Sequence, residues 1–154
     1  MKKLLIGIVV VFFVFLVFLS QSPERTVAAV PAVPLMSESE YKTIAKSYSY
    51  KDIARNPNDF IGNKAFFTGE VIQVGESESG KTVGLRVNVT KGNYFYSDTI
   101  YVNYIKKDIN ESRILEHDII KFYGDLAGIK KYTSIFGAEV SIPQVNMKYF
   151  EVIK

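Results

Sequence analysis

Residues 82–90, TVGLRVNVT, alternate without a break: Val83, Leu85, Val87 and Val89 are apolar, while Thr82, Gly84, Arg86, Asn88 and Thr90 are polar or small. A period of two is that of a β-strand with one face on a core and the other toward solvent. Working outward, residues 65–74 place Ala65, Phe67, Gly69 and Val71 in the same alternation, and Gly69 suits the sharp bend that a small barrel needs. Residues 98–104 would turn Ile100, Val102 and Tyr104 inward and Tyr101 and Asn103 outward. Residues 108–116 carry Ile109, Ile114 and Leu115 among charged side chains and predict a two-turn helix. A fourth strand is expected at 118–126, with Ile120, Phe122 and Gly124 alternating against Ile119, Lys121 and Tyr123. A fifth is expected at 136–142, ended by Pro143, with a closing stretch at 147–153. Three strands in a meander, a helix and two more strands is the connectivity of the five-stranded OB barrel. The expected fold class is therefore mainly β: an OB-like five-stranded Greek-key barrel with one short helix between strands three and four.

Short N-terminal helices and a transmembrane segment are expected ahead of that barrel. Lys2 and Lys3 precede residues 4–19, LLIGIVVVFFVFLVFL, a run too apolar on every side for a soluble element. Sixteen residues at 1.5 Å rise span about 24 Å, short of a ~30 Å hydrocarbon core, so flanking residues or bilayer thinning must complete the crossing. The length also sits near that of a signal-peptide apolar region. Small residues for cleavage exist at Ser20-Gln21-Ser22, but Pro23 would directly follow the cut. Uncleaved anchor and cleaved signal thus both stand, and both export the rest of the chain, since the two lysines hold the N-terminus inside. The expected location is the cell membrane, single-pass, with the C-terminal domain extracytoplasmic, or secreted if the segment is removed.

Residues 20–34, SQSPERTVAAVPAVP, read as a semi-extended spacer. Ser37-Glu38-Ser39-Glu40 is a capping-box pattern followed by Tyr41, Ile44, Ala45 and Tyr48 at helical spacing. A second short helix at 50–55 is stopped by Asn56-Pro57. The organisation expected is anchor or signal at 1–20, linker and short helix at 21–47, and the barrel domain at 48–154. The whole chain has 154 residues and no cysteine, which removes thiolate metal ligands, nucleophilic thiols and lipid attachment through an N-terminal cysteine. From Glu40 onward sixteen Lys and Arg face fourteen Asp and Glu, a net charge of +2. That lacks the concentrated basic footprint of most nucleic-acid binders.

Several short motifs resemble a known family: 50–57 YKDIARNP, 60–62 FIG, 67–74 FTGEVIQV, 113–116 RILE and 136–140 FGAEV. They are similar to exported OB-fold domains found on lipoproteins and membrane-anchored proteins of Gram-positive bacteria and their mobile elements. The resemblance spans Tyr50 to the C-terminus. Its motifs are structural, so it implies fold and location and no catalytic chemistry. Many members carry a lipobox cysteine, which this chain lacks, so the apolar run itself must provide any anchoring.

Residues 75–82, GESESGKT, match the phosphate-loop pattern at every specified position. That loop works by aiming the N–H groups of a following helix at phosphates. Here a strand follows, and Glu76 and Glu78 would put negative charge where phosphate must sit. No nucleotide, cofactor or metal is expected. His117 is the sole histidine, so a His-rich metal site is impossible, and Glu116, Asp118 and Asp125 read as surface charge. No enzyme is expected.

The remaining candidate is a binding surface. OB folds bind across strands two and three and between the flanking loops. On the outward register that surface holds Arg86, Asn88, Tyr101 and Asn103, with Tyr94, Phe95 and Tyr96 at the neighbouring hairpin and Lys130, Lys131 and Tyr132 in the loop after the fourth strand. Aromatics interleaved with cations and amides suit sugar rings, unstacked bases or a partner protein. The leading expectation is a membrane-tethered extracytoplasmic module that contacts a protein or a cell-envelope polymer. Single-stranded nucleic acid is the alternative, favoured by the fold and disfavoured by the +2 charge and by export.

Overall fold

The alternation at 82–90 becomes β2 (Thr82–Lys91), with Val83, Leu85 and Val87 buried and Gly84, Arg86 and Asn88 half-buried on the outer side. The computed structural model describes residues 36–134 and 136–153; the apolar run at 4–19 and the spacer at 20–34 lie outside the described residues. Among those described, no helix is long and apolar enough to cross a membrane. The other strands are β1 (Lys64–Glu76), β3 (Tyr96–Ile105), β4 (Ile119–Thr133) and β5 (Glu139–Val152). They close in the order β1-β2-β3-β5-β4, antiparallel throughout except for β3 beside β5.

The barrel closes with a large stagger. Paired residues lead from Lys64 to Asp125, Asn146, Asn103 and Gly84, and return to β1 at Gly75, 11 positions from the start. So few strands enclose a packed interior only when steeply tilted, and tilt and stagger are linked. The strands must also coil. A Cβ on Gly69 would overlap the carbonyl oxygen of Asn88, and one on Gly124 would overlap that of Asn146. Both positions need glycine because a neighbouring backbone crosses where the side chain would stand. The interior holds Phe67, Leu85, Ile100 and Phe122, joined by Ile53 and Ile114 from outside the strands. Burying each such side chain stabilises the fold by about 1.5–3 kcal/mol. The result is the OB-like five-stranded barrel that the alternation pattern predicts.

The fifth strand begins at Glu139, not at 136, and Tyr123, expected to face outward, is buried against Tyr41 and Ala45 of the chain ahead of the strands; three further details differ from expectation. Residues 108–116 form turns, not a helix. Glu111 accepts the Tyr104 hydroxyl at 2.6 and 2.7 Å and the Lys107 amide at 3.2 Å. Asp108 accepts the Asn110 amide and Asp118 the Leu115 amide, both at 2.8 Å. Carboxylates that capture local N–H groups offer the backbone an alternative to helix. Only Ile114 is buried, while Ile109 and Leu115 are exposed, so no apolar face rewards a helix there.

Pro143 does not end the fifth strand, because β5 runs through it. Its pairing with β3 begins only at Gln144, and on its other side it sits opposite Ile129 of β4, beside a break in that register. The missing N–H thus falls where the ladder is already interrupted. The third difference is the length of β4, which continues past 126 to Thr133 after a bulge at Ala127 and Gly128, where Gly128 has φ +82°.

The chain ahead of the strands packs onto the barrel. Helix α1 (Glu38–Ile44) is held by the capping box: Ser37 Oγ accepts the Glu40 amide, and Glu40 accepts the Ser37 amide at 2.9 Å. The Ser37 hydrogen bonds hold the Glu40 carboxyl below the usual range. Tyr41 donates to Asp125 Oδ1 at 2.7 Å, and burial, reinforced by that carboxylate, raises its phenol well above its ordinary range. Lys46 then bridges to β1, donating to Lys64 and accepting from Phe66. Helix α2 (Tyr50–Arg55) and a 3₁₀ turn (Pro57–Phe60) complete the entry, with Ile53 inserted into the core.

Candidate binding face

β2 and β3 pair in register, which sets Gly84 beside Asn103, Arg86 beside Tyr101 and Asn88 beside Thr99. These residues point outward because their neighbours point in. Gly84 has a specific consequence: a Cβ there would stand 2.6 Å from the Tyr101 hydroxyl oxygen. The Tyr101 side chain therefore lies across the backbone of β2. On the other flank of β3, the parallel pairing sets Gln144 beside Tyr101 and Asn146 beside Asn103. Gln144 donates to Asn146 at 3.2 Å, so the polar floor extends over three strands.

The bulge at Ala127 and Gly128 and the release of β5 at Pro143 shape an arm. Beyond them β4 and β5 pair as a ribbon from Ile129 opposite Pro143 to Thr133 opposite Glu139. Lys130 and Tyr132 are two apart and share one side of it, and that side meets the β2–β3 face. Lys130 Nζ lies 5.1 Å from the centre of the Tyr101 ring, and the Arg86 guanidinium lies 5.8 Å from that of Tyr132. Each pair joins the arm to the sheet through a cation over an aromatic face. Arg86 also donates to Gln73 Oε1 at 3.4 Å, while its buried Nε–H has no acceptor among the described residues. A buried donor without a partner costs about 1–3 kcal/mol.

The expected site residues thus divide. Arg86, Tyr101, Lys130 and Tyr132 come together as one cluster, and Asn103 adjoins it through Gly84 and Asn146. Lys130, Lys131 and Tyr132 belong to β4, not to a loop, because the bulge lets the strand continue. Lys131 alternates with its neighbours and so lies on the other side of the arm. Asn88 is committed to the sheet: it donates to the Tyr96 carbonyl at 3.2 Å and accepts from Thr99 at 2.7 Å. Tyr94, Phe95 and Tyr96 sit at the β2–β3 hairpin, lining an open pocket of about 320 Å³ that includes none of the Arg86 cluster.

The sequence reading missed Gln73, Gln144 and Asn146. The signal was present in the alternation of Gln144 and Asn146 with Val145 and Met147, but it was cut off by ending the strand at Pro143. The phosphate-loop match is a hairpin turn. Ser77 donates its amide to the Thr82 carbonyl, Gly80 takes φ +66°, and strands flank it on both sides. His117 Nδ1 lies 3.3 Å from Glu70, Asp118 caps the Leu115 amide, and Asp125 is held between Tyr41 and Lys64.

No protein-family model matches the chain, and comparison with curated proteins finds no match. Solved structures do resemble it. An aspartyl-tRNA synthetase from Entamoeba histolytica is 18% identical over 79% of this chain and 24% of its own, with a TM-score of 0.48. A chain from Leishmania major Friedlin assigned as an aspartyl-tRNA synthetase is 12% identical over 79% and 23%, with a TM-score of 0.50. A small single-stranded DNA-binding protein from Streptomyces coelicolor is 12% identical over 59% and 94%, with a TM-score of 0.44. This chain spans about a quarter of the length of the two synthetases. At such identities the likeness is one of fold.

Proposed function

We propose that the domain is a non-catalytic binding module that takes single-stranded nucleic acid across the outer face of β2 and β3, beneath the β4–β5 arm. The observation that carries this is the double stack of Lys130 on Tyr101 and Arg86 on Tyr132. In the free protein each ring is occupied by a cation, and all four side chains are half-buried, so each contact is worth between about 0.5–1 kcal/mol, the exposed value, and about 2, the desolvated one. A base stacked on a tyrosine contributes about 1–3 kcal/mol. The exchange is close to balanced on the ring itself and is tipped by charge: the base takes the ring, and the displaced cation is left beside the phosphate that follows it. Gln73, Asn103, Gln144 and Asn146 offer both donors and acceptors, which suits base edges of any sequence.

Residues 4–19 favour tethering of this module outside the cytoplasm, in keeping with the resemblance to exported OB domains. A second reading, contact with a protein or cell-envelope polymer, is favoured by the near-neutral +2 charge of the domain. Fluorescence anisotropy of the full chain in neutral detergent separates the two. A labelled single strand of about 12 nucleotides, within the range one OB fold covers, should bind more tightly than its duplex. Tyr101→Ala should weaken it about 5- to 150-fold, the equivalent of one lost stack. Equal binding of duplex and single strand, or no effect of Tyr101→Ala, refutes the proposal.

A further inference from the structure

The pocket at the β2–β3 hairpin lies on Glu70, Lys91, Tyr94, Phe95, Tyr96 and His117, apart from the Arg86 cluster. Its chemistry is selective. Tyr94 is 95% exposed and Phe95 72%, an unusual outlay of aromatic surface on a hairpin tip. Opposite them stands Glu70, half-buried on β1, whose Oε1 is 3.3 Å from His117 Nδ1. His117 holds that position in a left-handed conformation at φ +73°, and Asp98, just after Tyr96, does the same at φ +63°. Neither is glycine, and such backbone conformations persist where the surroundings enforce them, often beside binding sites. His117 is fixed from behind by its amide, which donates to the Val71 carbonyl at 2.8 Å.

We infer that this pocket is a base-reading subsite that selects guanine within a bound single strand; the inference rests on the single-strand reading of the β2–β3 face. An ionised carboxylate only accepts hydrogen bonds, so the ligand must present donors to Glu70. The aromatic side chains call for a flat ring. Lys91 at the rim calls for an anion attached to it. A nucleotide meets all three demands, and among the bases only guanine carries two adjacent donors, N1–H and the N2 amine, that match the two carboxylate oxygens. Cytosine, adenine and uracil each set an acceptor beside the donor, which the carboxylate repels. Lys91 lies five residues from Arg86 on β2, about 17 Å at ~3.3 Å per residue, and the odd offset sets it on the other face of the strand, so a bound single strand must turn over the hairpin end of the sheet to reach both places.

The test is amide chemical-shift mapping on the full chain in neutral detergent, with the four nucleoside monophosphates, inosine monophosphate and N-acetylglucosamine as separate probes. Guanosine monophosphate should move Gly92, Asn93, Tyr96 and Ile119. Inosine monophosphate, which lacks the N2 amine, should bind about 2- to 13-fold more weakly, as expected for loss of half a bidentate contact. Glu70→Gln, which keeps the shape and the fold, should abolish the preference. Equal shifts from all nucleotides, or stronger shifts from the sugar, overturn the inference. So does an inert pocket in a protein whose Tyr101 face still binds single strands, and that outcome leaves the proposed function standing. If neither place responds, both fall.

Discussion

Replacing Lys130 by methionine tests how the strand is held. An unbranched side chain of similar length is kept, and the positive charge over Tyr101 is removed. On the β2–β3 face two cations, Arg86 and Lys130, stand where phosphates would pass. For single strands the slope of log affinity against log salt is about −0.7 per phosphate neutralised, so for a strand too short to reach Lys91 two contacts give about −1.4. Raising salt from about 50 to about 200 mM should then weaken the unmodified protein about sevenfold. With Lys130→Met the slope should fall to about −0.7, and the same change in salt should cost about 2.5-fold. Lys51, exposed on α2 and in none of the contacts that build the face, is the control: Lys51→Met should leave the slope unchanged. Anisotropy titrations at four or more salt concentrations read both slopes. An unmodified slope several times steeper, or a slope indifferent to Lys130→Met, would mean that phosphates are held elsewhere and would refute the reasoning.

Other expectations concern the scaffold. Gly124→Ala should destabilise the domain by about 1–3 kcal/mol, since its Cβ would overlap the Asn146 carbonyl, and a thermal melt should register a drop of about 4–8 °C per kcal/mol. Tyr41→Phe removes the hydrogen bond to Asp125 but leaves Lys64 to pair with that carboxylate, so it should cost about 1 kcal/mol, read by denaturant unfolding. The capping box gives a pH dependence. Glu40 is depressed in the folded state by its Ser37 hydrogen bonds, so its contribution is full above the unfolded value of 4.5 and is lost as pH falls through the lower, folded value. Amide exchange in α1 should accelerate below that point while the barrel strands stay protected.

The barrel was legible because its strands carry an unbroken period of two, from Ala65 to Val71, Val83 to Val89 and Ile100 to Tyr104, and each predicted inward residue is buried except Val89, which is half-buried. Where local rules compete, the sequence misleads. Residues 108–116 have helical spacing of apolar residues, yet Asp108, Glu111 and Asp118 draw off the local amides. Pro143 has the local meaning of a strand end, but the register break opposite it removes the need for its N–H. The same proline hid the arm. Arg86, Tyr101, Lys130 and Tyr132 could be named as outward cations and aromatics, whereas their meeting depends on a two-residue bulge and a parallel pairing that no local pattern encodes. Gly84 is the clearest case of a residue whose role appears only in three dimensions, as the floor under Tyr101.

The most direct test of the central claim is amide chemical-shift mapping of the full chain, in neutral detergent, against a single strand of about 12 nucleotides. The account predicts shifts on Gly84, Arg86, Tyr101, Asn103, Lys130 and Tyr132, reduced by Tyr101→Ala. Shifts confined to other surfaces, or none at all, would contradict it and return the β2–β3 face to a protein or cell-envelope partner.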